Sequence, residues 1–147
     1  MTVREVIAMV DDVKPNAFET ATKVKWLDGL EGTLAAEVFL MARAEAAQLR
    51  LSADKLDQEL LIGPPYDDIY ELWLEAQIDR ANGEYNKYQN TMQSCNARRA
   101  EFVCWFCQSW DPAQGYMTEA EQSMGVYENH PRGKRGRQTM GKRGKEK

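Results

Sequence analysis

The sequence predicts an all-α fold: a small bundle of about four helices with a long helical hairpin, at most a short strand pair in its middle connector, and an extended C-terminal tail. Three observations carry this expectation. Apolar residues recur at intervals of three and four in four separate stretches, the spacing that lines one face of a helix. The strongest helix-breaking signals fall between those stretches, at Lys14-Pro15-Asn16, Gly63-Pro64-Pro65, Asn82-Gly83 and Asp111-Pro112. The middle connector offers a short alternating "QLRL" at 48–51, the place where a strand pair would form.

Taken in order, Thr2 followed by Glu5 has the spacing of a capping box, and Val3, Val6, Ile7 and Val10 follow at helical intervals, which predicts a helix from 3 to about 12. A second helix is expected from about Thr20 towards residue 41, on Val24, Leu27, Leu30, Leu34 and Val38. Gly29 and Gly32 work against its continuity, since each costs about 1 kcal/mol relative to alanine. Residues 42–61 mix helix formers with "QLRL" and an apolar triplet and are expected to form a connector with one short strand pair. Pro65, followed by Asp67 and Asp68, makes a good helix start, and the third helix is expected over about 66–81. Asn82 and Gly83 can take the left-handed conformation that ends a helix. Helical spacing resumes at once with Tyr85, Tyr88, Met92, Cys95, Phe102, Phe106 and Trp110, so a long fourth helix should fold back on the third. The domain expected from this pattern is 1–111. Residues 112–147 have few large apolar side chains and read as an arm that cannot bury a core alone.

At 147 residues, 43% apolar and 29% charged, the chain has the composition of one ordinary globular domain. The formal net charge of -4 conceals a division: residues 1–130 hold 11 Lys/Arg against 22 Asp/Glu, while 131–147 hold 8 against 1. An acidic body therefore carries a basic end. The chain has no apolar run of membrane-spanning length and "MTVREVIAMVDD" lacks a signal-peptide pattern, so no membrane association and a cytosolic setting are expected. Three cysteines, Cys95, Cys104 and Cys107, are an odd number within one short region, which suits free thiols in a reducing compartment.

At each position that could carry chemistry, packing or solvation is the competing explanation. Asp67, Glu71, Glu75 and Asp79 are spaced by four and form an acidic stripe, expected to face solvent or a channel rather than to do acid and base work. Tyr66, Tyr70, Trp73, Tyr85 and Tyr88 are expected to serve the core and subunit packing. Cys104 and Cys107 have the C-x-x-C spacing, but in mid-helix they are expected to be packed free thiols, and a thiol or zinc enzyme ranks third among the readings. His130 is the one histidine and sits beside the tail. The phosphate-loop likeness of "GRQTMGKR" at 136–143 fails, because Arg143 stands where the magnesium-binding hydroxyl belongs. Neither a catalytic residue, a metal site nor a cofactor is expected. The basic residues Arg132, Lys134, Arg135, Arg137, Lys142 and Arg143, with Lys145 and Lys147, are candidates for partner binding. They would contact phosphates, with strong salt dependence, or dock on an acidic protein.

"KPNAF" with "KVKWL" at 14–27, and "PPYDDIYELWLEAQIDRANGEYNKYQNTM" at 64–92, resemble the head-tail adaptor (connector) proteins of long-tailed phages and prophages. The resemblance spans roughly 2–110 and leaves out the basic tail; "EFVCWFCQSW" at 101–110 also departs from the family pattern. It implies a mainly helical subunit and a non-enzymatic structural role in the virion, assembled in the host cytoplasm. It further implies a homo-oligomeric, dodecameric ring between the portal protein and the tail or stopper protein, with DNA passing through the channel without specific binding. The alternative expectation is a nucleic-acid-binding accessory protein that acts through the basic tail.

Overall fold

The computed structural model describes residues 1–111 and 115–116. Five helices follow one another: α1 (Val3–Val13), α2 (Thr20–Glu37), α3 (Arg43–Gln48), α4 (Asp68–Ala81) and α5 (Tyr85–Ser109). A short antiparallel pair comes after them, β1 (Trp110–Asp111) with β2 (Gly115–Tyr116), with the backbone of residue 110 in register with that of residue 116. The chain divides into two compact units, Met1–Val103 and Cys104–Lys147, so the boundary falls inside α5, earlier than the 111/112 boundary suggested by composition.

The capping box forms at the start of α1. Thr2 Oγ1 accepts the Glu5 N–H at 3.3 Å, and Glu5 Oε2 accepts the Thr2 N–H at 2.7 Å. The Thr2 N–H and the Thr2 hydroxyl, which donates to the same carboxylate oxygen at 3.1 Å, favour ionised Glu5 and hold its carboxyl below the usual range. Val3, Val6, Ile7 and Val10 then face inward. Two amide donors of the first turn, which no helix can satisfy internally, find partners in the connector: Val3 N–H reaches Gln58 O at 3.2 Å and Arg4 N–H reaches Leu56 O at 2.9 Å. A single bridge between Thr2 and Glu59 continues this contact.

Here the structure corrects the expected strand pair in 42–61. The connector instead holds the six-residue helix α3, and its far end pairs with the N-terminus of the chain rather than with itself. Local spacing cannot reveal a partner more than fifty residues away. The connector thus caps α1 and closes one side of the core.

Helix α2 buries Val24, Leu27, Leu30, Leu34 and Ala35, and ends at Glu37, short of the expected 41. Phe39 N–H folds back to Leu34 O at 3.0 Å and Met41 N–H to Ala35 O at 2.9 Å, with Leu40 between them at φ 50°. This left-handed backbone is uncommon for a large side chain, and it turns the chain away from the helix axis.

Helix α4 starts at Asp68, two residues later than the sequence suggests, because Gly63–Tyr66 forms a turn closed by Tyr66 N–H to Gly63 O at 3.2 Å. Ile69, Tyr70, Leu74, Ala76 and Ile78 are buried, and α4 packs on both α1 and α2, which makes it the central helix. It ends as Asn82-Gly83 predicts. Gly83, at φ 77°, donates to Arg80 O at 3.1 Å, and Glu84 N–H donates to Asp79 O at 2.9 Å, the paired bonds of a Schellman motif.

Helix α5 then turns back along α4. Cys95 and Phe102 are buried, and the Cys95 thiol lies 3.8 Å from Ile69 O. Most of the helix between Tyr85 and Ala100 is exposed.

Candidate functional site

Two kinds of feature stand out: polar groups buried among the helices, and surfaces left uncovered. The acidic series shows the first. Asp67, Glu71 and Glu75 are half-buried, but Asp79 is fully buried. This corrects the expectation of a stripe facing solvent or a channel at all four positions. Residues four apart on a helix are offset by about 40°, so over three such steps the row swings about a third of a turn. That rotation carries Asp79 inward, where its Oδ1 accepts a short hydrogen bond from Lys14 Nζ. Its other oxygen, Oδ2, has no hydrogen-bond partner among the described residues. Glu71 remains in the acidic row, and burial, then Asp67, Asp68 and Glu75, push its carboxyl upward.

The aromatic set divides in the same way. Tyr70, expected to help pack subunits, is wholly buried in its own chain. Its hydroxyl donates to Glu31 Oε2 at 2.6 Å and accepts the Ile62 N–H at 3.0 Å, while Leu61 N–H donates to Glu31 Oε1 at 2.7 Å. One carboxylate on α2 therefore holds both α4 and the end of the connector. Burial raises the Glu31 carboxyl above its usual range, and burial with the adjacent Glu31 charge raises the Tyr70 phenol. Trp73 is half-buried, and its indole N–H donates to Trp26 O at 2.9 Å. Tyr66 lies under the Arg98 guanidinium, 4.7 Å from its ring centroid, and against Phe102 at 5.6 Å. Tyr88 is half-buried and Tyr85 is 64% exposed.

Sequence periodicity missed Lys23, Glu31, Arg98 and Arg99. Lys23, on the buried side of α2, donates to both Asp11 oxygens at 2.6 and 2.8 Å. A signal existed: Lys23 and Glu31 occupy apolar-face positions of α2, beside Val24 and four residues after Leu27, and charge there demands a partner. Arg98 binds Asp68 at 2.9 Å, Glu101 at 2.7 Å and Pro65 O at 2.8 Å, and Arg99 binds Glu37 at 2.9 Å. These two arginines tie α5 to α4 and to the end of α2.

All three cysteines are free. Cys95 is buried, and desolvation pushes its thiol up to about 11. Cys104 and Cys107 are exposed, which corrects the expectation that they are packed. The buried line of α5 runs through Cys95, Phe102 and Phe106, and helical geometry turns positions 104 and 107 away from it. Among the described residues no group of three or more His, Cys, Asp or Glu side chains is placed to hold a metal ion, and no helix is long and apolar enough to cross a membrane. Arg132, Lys134, Arg135, Arg137, Lys142, Arg143 and His130 lie outside the described residues.

The second kind of feature is a groove on α2. Gly29, Gly32, Thr33 and Ala36 line it, with Asp28, Arg50 and Glu37 on its rim and a volume of about 390 Å³. A Cβ built on either glycine would meet nothing within 4 Å. In comparisons with known proteins the chain matches no family model, no curated protein and no solved structure.

Proposed function

We propose that the protein is a structural adaptor of a phage or prophage head-to-tail joint, a ring subunit between portal and tail or stopper. The observation that carries this reading is the contrast within the hairpin whose residues bear the family resemblance. Helix α4 belongs to the core, whereas α5 gives its own chain only a narrow buried line and leaves a long face uncovered. A 25-residue helix with most of its first sixteen residues exposed contributes little to its own domain and suits contacts with other subunits. The test is to image the full chain mixed with the portal complex of a long-tailed phage, by negative stain and mass photometry. The expected result is a ring of added density on the portal. Free portal with unbound monomers would count against the adaptor reading.

A second reading is favoured by one observation, the 8 Lys/Arg against 1 Asp/Glu in residues 131–147. In this reading the basic end grips nucleic-acid phosphates while the acidic body recruits a partner. It predicts duplex-DNA binding that weakens steeply with salt and is lost when the chain ends at residue 130. Binding unchanged by that truncation would remove it.

A further inference from the structure

The C-x-x-C pair of α5 serves neither the core nor the adaptor reading. Cys104 and Cys107 are both free and exposed, near the end of a helix whose last residue is Ser109. Phe102 and Phe106, turned away from them on the same stretch of helix, are buried, so the turns that carry the thiols are anchored. Cys95 is different. Its thiol is buried against Ile69 O at 3.8 Å, which leaves the exposed pair as the thiols open to a ligand.

Helix geometry sets how far apart the two sulfur atoms are held. Residues three apart differ by about 60° around the axis and about 4.5 Å along it, with Cβ atoms about 5 to 6 Å apart. A disulfide needs a Cβ separation of about 3.5 to 4.5 Å, so closing one would pull the last turns of α5 out of shape. A metal ion between two thiolates spans more: two metal–sulfur bonds of about 2.3 Å put the sulfur atoms up to about 4.6 Å apart. That span fits the helix as it stands. The ligand count then selects the ion. Among the described residues no group of three or more His, Cys, Asp or Glu lies together, so this surface supplies two ligands. Glu101, three residues before Cys104, is already bonded to Arg98 at 2.7 Å. Zinc in a closed site takes four ligands, and iron–sulfur clusters take four cysteines. Cu(I), soft and with a filled d shell, is satisfied by two thiolates.

We infer that Cys104 and Cys107 form a binding site for one soft monovalent cation of the Cu(I) type, held between their two sulfur atoms. Binding breaks two S–H bonds and forms two metal–sulfur bonds. Both protons leave to solvent, the complex carries one negative charge, and no electron is transferred. The helix holds both ligands in place before the ion arrives, so little ordering entropy opposes binding. This site lies outside the adaptor reading and stands or falls independently of it.

The test gives the full chain one equivalent of Cu(I) without oxygen, in the presence of excess glutathione as a competing thiol. Native mass spectrometry should show one copper per chain, and X-ray absorption should show two sulfur ligands. Competition with the chromophoric chelator bicinchoninate reads the affinity. Cys104→Ser and Cys107→Ser should each weaken binding about a hundredfold or more, because the second thiolate acts as a tethered ligand. Both replace exposed side chains and should keep the wild-type circular dichroism, which separates lost binding from failed folding. Adding Ala100→Cys to Cys107→Ser places a thiol at an exposed position four residues before Cys104, and should restore most of the affinity. Cu(I) that passes wholly to glutathione overturns the proposal. Wild-type affinity in the Cys104→Ser, Cys107→Ser double variant also overturns it, since the ion would then sit elsewhere. Zn(II) held in preference to Cu(I), at one ion per two chains, overturns it in favour of a four-thiolate site between copies.

Discussion

Helices α4 and α5 are neighbours in the chain, separated by the Asn82-Gly83-Glu84 turn, yet they occupy opposite environments. Helix α4 is buried on most sides and takes polar groups into the interior with it, Asp79 onto Lys14 and Tyr70 onto Glu31. Helix α5 buries a thin line, keeps its charges at the flanks in paired form, and leaves most of its first sixteen residues exposed. A helix in the core must find partners for its polar atoms within the protein, as all but Asp79 Oδ2 do among the buried side-chain atoms described, whereas a helix at the edge can leave that to water or to a partner. The same chain thus separates stability, held by α1, α2 and α4, from the surface offered by α5.

The sharpest way to break this contrast is truncation on each side of it. Leu74→Ala in α4 should cost about 3 to 4 kcal/mol in urea unfolding, through lost burial and a cavity. Gln93→Ala on the outer face of α5 should stay within about 0.5 kcal/mol under the same conditions at low protein concentration. Comparable losses at the two sites would refute the division.

Next in size is the buried ion pair. Lys14 is partly exposed while Asp79 is wholly enclosed, so Lys14→Met strands a carboxylate that already has one unpaired oxygen. A loss of about 3 kcal/mol is expected, and Lys14→Met with Asp79→Asn should recover part of it. Chemical denaturation of the single and double variants would check this; a neutral Lys14→Met would mean that Asp79 is far better hydrated than its burial implies.

A smaller effect is expected at Tyr70. Tyr70→Phe removes the donor to Glu31 and the acceptor for Ile62 N–H, and should cost about 1 to 3 kcal/mol. Glu31 adds a pH dependence. Its carboxyl is raised in the fold above the ordinary value of 4.5, so the folded state holds its proton where the unfolded chain has lost it. The associated stabilisation is complete below the unfolded value and disappears as pH rises through the folded one. Glu31→Gln should flatten that limb of the stability-pH curve, and an unchanged curve would argue against the assigned cause.

The smallest pair of effects has opposite signs. Gly83→Ala puts a side chain at φ 77° and should cost about 1 kcal/mol. Gly32→Ala lies on the exposed side of α2 and should add up to about 1 kcal/mol of stability. Thermal melts of both variants would show whether glycine ends a helix at one site and keeps a groove open at the other.

Much of the fold was legible in the sequence because it is local. The capping box at Thr2 and Glu5, the apolar steps through α1 and α2, and the Asn82-Gly83 stop all lie within a few residues of the groups they satisfy. The site was less legible. Asp79 looked like one of four equivalent carboxylates because spacing alone does not say which end of a drifting row meets another helix. Tyr70 was legible as an aromatic that packs in the core or between subunits, but its hydrogen bond was not, because its partner, Glu31, lies far away in the chain. Leu40, at φ 50°, ended α2 early with none of the residues that ordinarily mark such a turn.

The sequence by itself determined the helical class, the apolar faces that form the core, the hairpin turn and the split between acidic body and basic end. Each follows from short-range periodicity, from backbone stereochemistry or from charge count. Only the tertiary structure decided that the connector caps α1, that Asp79 and Glu31 are interior carboxyl groups, and that α5 leaves most of its first sixteen residues exposed. Those outcomes depend on which distant segments meet, and a buried charge or an uncovered face is defined only once the surrounding helices are in place.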